Sequence, residues 1–183
     1  TPGHSSAASD VYKRQARRTL SEALESARES GSRRTESILL GNLAALEVDL
    51  DERLRLVQQG HQLSLGTDDR NATLIALRKL VMAHIARGEA ALAGAHLDEA
   101  ERLAREGEQT SHAAGLLLAR ARLVWHSRPL DVADRLAALC AQLEAGAYSA
   151  ERGQVECLLA ILDLDRDDPR AAHARLTRAR DLL

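Results

Sequence analysis

With 45% apolar and 28% charged side chains over 183 residues, the chain carries enough hydrophobic surface for one ordinary domain and enough charge to stay in solution, which excludes disorder over most of its length. A formal net charge of -2 excludes the broadly basic surface that holds nucleic acid or anionic membrane, and no apolar run approaches the roughly 18 residues of a membrane helix. The N-terminus lacks the basic-then-apolar order of a signal peptide, so we expect a cytoplasmic protein whose two cysteines, Cys140 and Cys157, are free thiols.

The chain opens on TPGHSSAASDVYKRQ, in which DVYKRQ, Asp10 to Gln15, resembles translated sequencing-adapter read-through. A polar disordered terminus is the other reading, and either one leaves residues 1–15 outside the fold. From Ala16 onward the pattern is helical. In ARRTLSEALESA, Ala16, Leu20 and Ala23 stand at i, i+4 and i+7, which share one face of a helix. Degenerate copies follow at Leu56, Gly60 and Leu63 and at Ala133, Ala137 and Cys140, with intact ones at Ala93, Leu97 and Ala100 and at Ala172, Leu176 and Ala179. Successive copies start about 37 to 40 residues apart, within the range of helical-hairpin repeats.

Between these copies lie second amphipathic segments: Ile38 to Val48, Leu74 to Ala86, Leu116 to Trp125 and Val155 to Leu164. The unit is thus a pair of helices, in which small residues let a neighbour approach and the central leucine fills the gap. Gly31, Gly66, Gly107 and Gly146 follow the skeleton helices, where a left-handed glycine is expected to end each one. Turns inside the pairs fall at Asp49 to Asp51, Arg87-Gly88-Glu89, Ser127-Arg128-Pro129 and Asp167-Asp168-Pro169, with both prolines in first helical turns and Asp168 placed to cap one.

The best copy supplies Leu77, Leu80, Val81 and His84 on its first helix, Gly88 in the turn, and Ala93, Leu97 and Ala100 on its second. This arrangement resembles the tetratricopeptide repeat family, in the long-repeat form of bacterial regulatory and sensor proteins, although leucine, valine and histidine replace the family's signature tryptophan, glycine and tyrosine. The resemblance covers residues 16–183, as an orphan second helix over 16–30 and pairs over about 34–66, 70–107, 110–145 and 150–183. It implies an all-α, right-handed superhelical solenoid of antiparallel helix pairs, with about nine helices. Because neither end of the pattern carries a polar capping helix, we expect a fragment of a longer chain.

The residues offer little chemistry. The seven histidines are scattered, and no zinc-hydrolase spacing, phosphate-binding loop or dinucleotide fingerprint occurs, so we expect no enzyme, metal or cofactor. His84 and His96 lie on two helices of one pair and are read as packed or solvent-facing. Cys140 and Cys157 flank the turn near Ala147 and Tyr148, leaving either a redox staple or two small buried side chains. Acidic and basic residues alternate from Asp98 to Glu108, as on a solvated helix face with i, i+4 pairs.

The resemblance further implies that first helices line a concave groove, which places Val48, Arg78, Met82, Ile85, Arg122, Trp125 and Ile161 on a partner-binding face. Trp125 leads this set, with a place in the core as its alternative, since Arg120 stands where the third pair needs leucine. The lysine and asparagine clamp of chaperone-binding members is missing from the matching positions, Gly41, Ala45, Arg78 and Met82. The expected function is a protein-protein interaction scaffold, the repeat region of a larger bacterial signalling or transcription-regulatory protein. Its partner would be a protein or peptide in the groove, or a domain of the same parent chain, with no nucleic acid or membrane. A stand-alone adaptor or assembly factor, or a small-molecule-sensing repeat domain, are the alternatives.

Overall fold

The computed structural model describes residues 3–107, 112–128 and 131–183, with side chains from residue 11 onward. Among the described residues there is no strand, and nine helices follow in order: α1 (Gly3–Glu29), α2 (Arg33–Leu46), α3 (Leu50–Leu65), α4 (Arg70–Ala86), α5 (Ala90–Glu106), α6 (Ala113–Ser127), α7 (Val132–Ala145), α8 (Ser149–Asp165) and α9 (Pro169–Leu182). They divide into two compact units, Thr1–Arg87 and Gly88–Leu183. No helix among the described residues is long and apolar enough to cross a membrane.

In the first unit α1 packs on α2, α2 on α3 and α3 on α4, and α2 also touches α4. Leu24, Leu40, Leu43, Val57 and Leu80 form the buried cluster. α1 starts well upstream of Ala16, at Gly3, but its described side chains as far as Thr19 are exposed. The buried stripe begins with half-buried Leu20 and continues through Leu24 and Ala27, so the i, i+4, i+7 skeleton of this helix lies one turn later than the spacing suggests. Ala16 and Ala23 carry too little apolar surface to decide the register, and Leu24 decides it.

The ends of α1 and α2 show how the chain reverses. Gly31 adopts φ 67°, and Ser32 N donates to Ala27 O at 2.9 Å, which satisfies a carbonyl of the last turn of α1. Asp49 and Asp69 cap the next two helices by accepting from Glu52 N at 2.8 Å and Ala72 N at 3.0 Å. Side-chain links fix the order of pairing. Arg28, late in α1, meets Glu36, early in α2, at 2.9 Å, while Arg17 meets Glu47 past the end of α2 at 2.8 Å. Between α2 and α4 the links run in the same order along both helices: Arg34 to Asp69 at 2.6 Å, then Asn42 to Lys79 at 2.8 Å. At the α2–α3 seam Ser37 Oγ donates to Gly60 O at 2.7 Å, and a Cβ on Gly60 would stand 3.0 Å from Ser37 O, so the glycine is needed for the close approach.

In the second unit α5 packs on α6, α6 on α7 and α8, α7 on α8 and α8 on α9. Leu136, Leu143 and Val155 lie at the centre of its core, fully buried. Ala93, Leu97 and Ala100 on α5 are fully buried as the skeleton predicts, but on α7 the buried residues are Leu136, Leu139, Cys140 and Leu143, so the buried i, i+4, i+7 set is 136, 140 and 143, with Ala137 exposed. The α7 register is therefore three residues later than expected, again because leucines outweigh alanines in apolar area. On α9, Ala172 and Ala179 are buried while Leu176 between them is 46% exposed.

The expected left-handed glycines are found only in part. Gly66, Gly107 and Gly146 have φ of -86°, -98° and -84°, and among the described residues the left-handed positions besides Gly31 are Gly88, Arg128, Ala147 and Asp167. Gly146 is required for a different reason: a Cβ there would stand 2.3 Å from the Tyr148 ring. Pro169 opens α9 with Asp168 accepting from Ala171 N at 3.0 Å, whereas Pro129 lies outside the described residues, as does Glu108. Of the charged run on α5, Arg102 pairs with Glu106 on the same helix at 2.8 Å, but Asp98 and Glu101 reach across to Arg120 on α6 at 2.7 and 2.8 Å. Arg120 thus occupies a leucine position because two carboxylates on the neighbouring helix meet it there.

Candidate functional site

On the second unit, α6 and α8 lie side by side and are linked twice in the same order: Arg122 donates to Gln154 Oε1 at 2.9 Å, and Arg128 meets Asp165 at 3.7 Å. Residues 118, 122 and 125 share one face of α6, and 154, 158, 161 and 165 share one face of α8. Trp125 and Ile161 therefore stand between the two links. Trp125 is half-buried and packs on the core cluster with Leu117, Leu118 and Leu158. Its ring is also covered by the Arg128 guanidinium, 3.6 Å from the ring centroid. Arg128 reaches the ring from the left-handed position that ends α6, φ 43°. Ile161 and its neighbour Leu164 remain 43% and 53% exposed. By this periodicity Trp125 and Ile161 mark an apolar strip along the α6–α8 face, with charges of both signs at one end.

The other four expected groove residues belong to the first unit and do not form a comparable strip. Val48 lies in the turn after α2, off the helix, and is 83% exposed. Its neighbour Glu47 organises this turn: its carboxylate accepts from Val48 N at 2.8 Å, Asp49 N at 3.2 Å and Arg17, and these bonds hold its carboxyl below the usual range, Arg17 contributing most. Arg78 and Met82 are half-buried at i, i+4 on α4, and Ile85 is buried.

Three features were not anticipated from the sequence. An open groove of about 410 Å³ lies over α1, α2 and α3, with Leu40 and Leu63 as its apolar floor and Arg28, Glu36, Arg55 and Gln62 at its edges. The Lys79 amine is set between α2 and α4. In the second unit the buried carboxylate of Glu156 on α8 accepts from Arg175 at 3.2 Å and from Arg178 at 3.3 Å, both on α9, while Arg175 also meets Asp163 at 2.7 Å. Burial pushes the Glu156 carboxyl up, but Arg178 and Arg175 outweigh it and hold the group below the ordinary range. For Lys79 and Glu156 the one signal was a charged residue on an otherwise apolar helix face; the groove, lined largely by polar side chains, had none.

Cys140 and Cys157 are both free. Their helices do pair across the turn, yet Cys140 Sγ faces Glu156 Oε1 at 3.7 Å, since Cys157 is rotated one residue round α8. Burial, and then the Glu156 charge, push the Cys140 thiol above its ordinary value, which leaves it protonated and unreactive at neutral pH. Among the described residues no three His, Cys, Asp or Glu side chains gather as a metal site requires. In comparison with known proteins, no family model matches the chain, and neither a curated protein nor a solved structure shows significant similarity to it.

Proposed function

We propose that the chain is a protein-protein interaction scaffold, a right-handed solenoid of antiparallel, tetratricopeptide-like helix pairs from a larger bacterial signalling or transcription-regulatory protein of the cytoplasm. Within each unit, the opposite order of links between consecutive helices and the first-helix contacts α2–α4 and α6–α8 support hairpins stacked in one direction. The observation that carries the interaction reading is the exposure of Ile161, 43%, on the α8 face that carries the links to α6, where half-buried Trp125 stands on α6. Large exposed apolar side chains beside a tryptophan and arginines are the composition of an interface centre. The partner this strip suits is a peptide or protein surface offering an aliphatic or aromatic side chain, with acidic groups towards Arg128.

Ile161→Asp tests this reading, because Ile161 supports less of the core than Trp125 does. With helix content and melting unchanged, the variant is expected to lose a partner that the unaltered chain co-purifies from its native cell; full retention of that partner would sink the reading. Trp125 is the chain's one tryptophan, so its fluorescence reports occupancy of the strip directly. A second reading, small-molecule sensing, is favoured by the groove over α1, α2 and α3, whose volume of about 410 Å³ falls in the range of ligand pockets. It requires ligand-dependent thermal stabilisation in the absence of any protein partner.

A further inference from the structure

Lys79 is one of two lysines in the chain and is placed unlike a surface residue. Its stem lies across Gly41, where a Cβ would stand 2.5 Å from Lys79 Cδ, so the glycine on α2 makes room for the lysine on α4. The stem borders a recess of about 10 Å³, roughly the room of one water, walled by Ser37 and Ile38 from α2, Val57 and Gly60 from α3, and Ile75 from α4. The amine donates to Asn42 Oδ1 at 2.8 Å and to the Ile38 carbonyl at 3.5 Å, two neutral acceptors. Apart from Lys79, no titratable side chain among the described residues lines the recess, and the charge acting on the amine is that of Arg78, the preceding residue of α4. Burial pushes the ammonium below the ordinary lysine range, and Arg78 pushes it further the same way. Such a lysine keeps a larger share of free amine near neutral pH than a solvated one.

We propose that Lys79 is a site of covalent acylation by acyl phosphates, in which Arg78 draws in the anionic phosphate end of the donor and Lys79 Nζ is the nucleophile. The Nζ lone pair forms the N–C bond at the acyl carbon. The C–O bond to phosphate breaks, inorganic phosphate leaves with that electron pair, and one Nζ proton passes to water. The product is a secondary amide that has lost its positive charge, keeps an N–H for Asn42 Oδ1 and no longer repels Arg78. Acylation therefore changes both the charge and the bulk of the α2–α4 face without removing the link between the two helices.

The test uses the whole protein incubated with acetyl phosphate, with acetylation of Lys79 and of exposed Lys13 followed by peptide mass spectrometry. The chain unfolded in guanidinium supplies the intrinsic ratio of the two sites. Relative to that ratio, Lys79 is expected to react roughly tenfold faster than Lys13 at neutral pH, an advantage that shrinks as pH approaches the ordinary lysine value of about 10.4. Lys13 reacting as fast as Lys79 in the folded protein, at every pH, would overturn the site. Arg78→Gln is expected to slow acetyl phosphate more than it slows a neutral donor, the N-hydroxysuccinimide ester of acetic acid. Equal slowing of the two donors would overturn the part assigned to Arg78.

Discussion

The two units hold their helices together by different means at corresponding seams. In the first, α3 sits on α2 through Gly60 and Ser37, backbone nearly against backbone, and α4 is tied to α2 by the Arg34–Asp69 ion pair and by an amine bonded to neutral acceptors. In the second, α9 is held to α8 by a buried carboxylate gripped by two arginines, and α8 to α6 by longer polar links beside a tryptophan. A seam made by close contact tolerates little added volume and has little to titrate. One made by a buried ion cluster tolerates volume better and depends on pH.

The largest test of this contrast is core truncation. Leu40→Ala and Leu136→Ala each remove a buried leucine and are expected to cost about 3 kcal/mol. Hydrogen exchange resolved by helix should show the first loosening α1–α4 and the second α5–α9; equal loss of protection throughout for either variant would break the division into two units. Next comes Glu156→Ala, expected to cost about 2 kcal/mol, less than for a fully buried pair because Arg175 and Arg178 retain access to water.

The same carboxylate sets an acid limit. Its pKa is depressed in the folded state, so its contribution is complete above the ordinary value of 4.5 and is lost as pH falls through the lower folded value. Lys79 has the opposite consequence in the first unit. Its folded pKa is depressed below 10.5, the unfolded chain binds more protons in that window, and the first unit gains stability as pH rises through it. Helix-resolved exchange at acid and alkaline pH should therefore show α8–α9 weakening at the acid end and α2–α4 firming at the alkaline end. Glu156→Gln is expected to flatten the first trend.

Smaller effects sharpen the picture of the seams. Gly60→Ala places a methyl group against the Ser37 carbonyl, where the backbone must move, and should cost about 2 kcal/mol in denaturant titration. Gly153→Ala in the second unit meets the Leu183 side chain, which can turn away, and the Ala179 carbonyl at 3.3 Å, a looser approach than at Gly60, and should cost about 1.5 kcal/mol. A larger loss for Gly153→Ala than for Gly60→Ala would contradict the contrast drawn between the seams. Smallest are the caps: Asp49→Ala and Asp168→Ala, one in each unit, should each cost about 1 kcal/mol.

The helices and their turns were legible in the sequence because apolar periodicity and cap residues act locally. Asp49, Asp168 and Pro169 stand where the reading of the turns places them. Register was less legible where the repeated skeleton rested on alanines, as at Ala16 and Ala137, since a methyl group is compatible with either face and the leucines nearby settle which one is buried. Glycine identity was also a poor guide to backbone sign: Gly146 serves the Tyr148 ring, and the left-handed residue is Ala147.

The candidate site was legible only in part. Trp125 packs on the core cluster of the second unit and Ile161 stays exposed on α8, whereas Val48 lies beyond the end of α2, where Glu47 has already gathered the turn's N–H groups. Lys79, Arg120 and Glu156 could not be interpreted from periodicity, because each is explained by partners on another helix: Asn42, the pair Asp98 and Glu101, and the pair Arg175 and Arg178.

Arg128, Ala147 and Asp167 all take positive φ at the turns that join α6 to α7, α7 to α8 and α8 to α9. A side chain in that conformation costs of order 1 kcal/mol, which glycine avoids. For protein engineering these turns form a reserve of stability at surface positions: Ala147→Gly alters neither a seam nor the Trp125 strip and offers up to about 1 kcal/mol. Arg128 is the exception, since its unusual backbone also brings the guanidinium over Trp125, so relaxing that turn would uncover the aromatic ring.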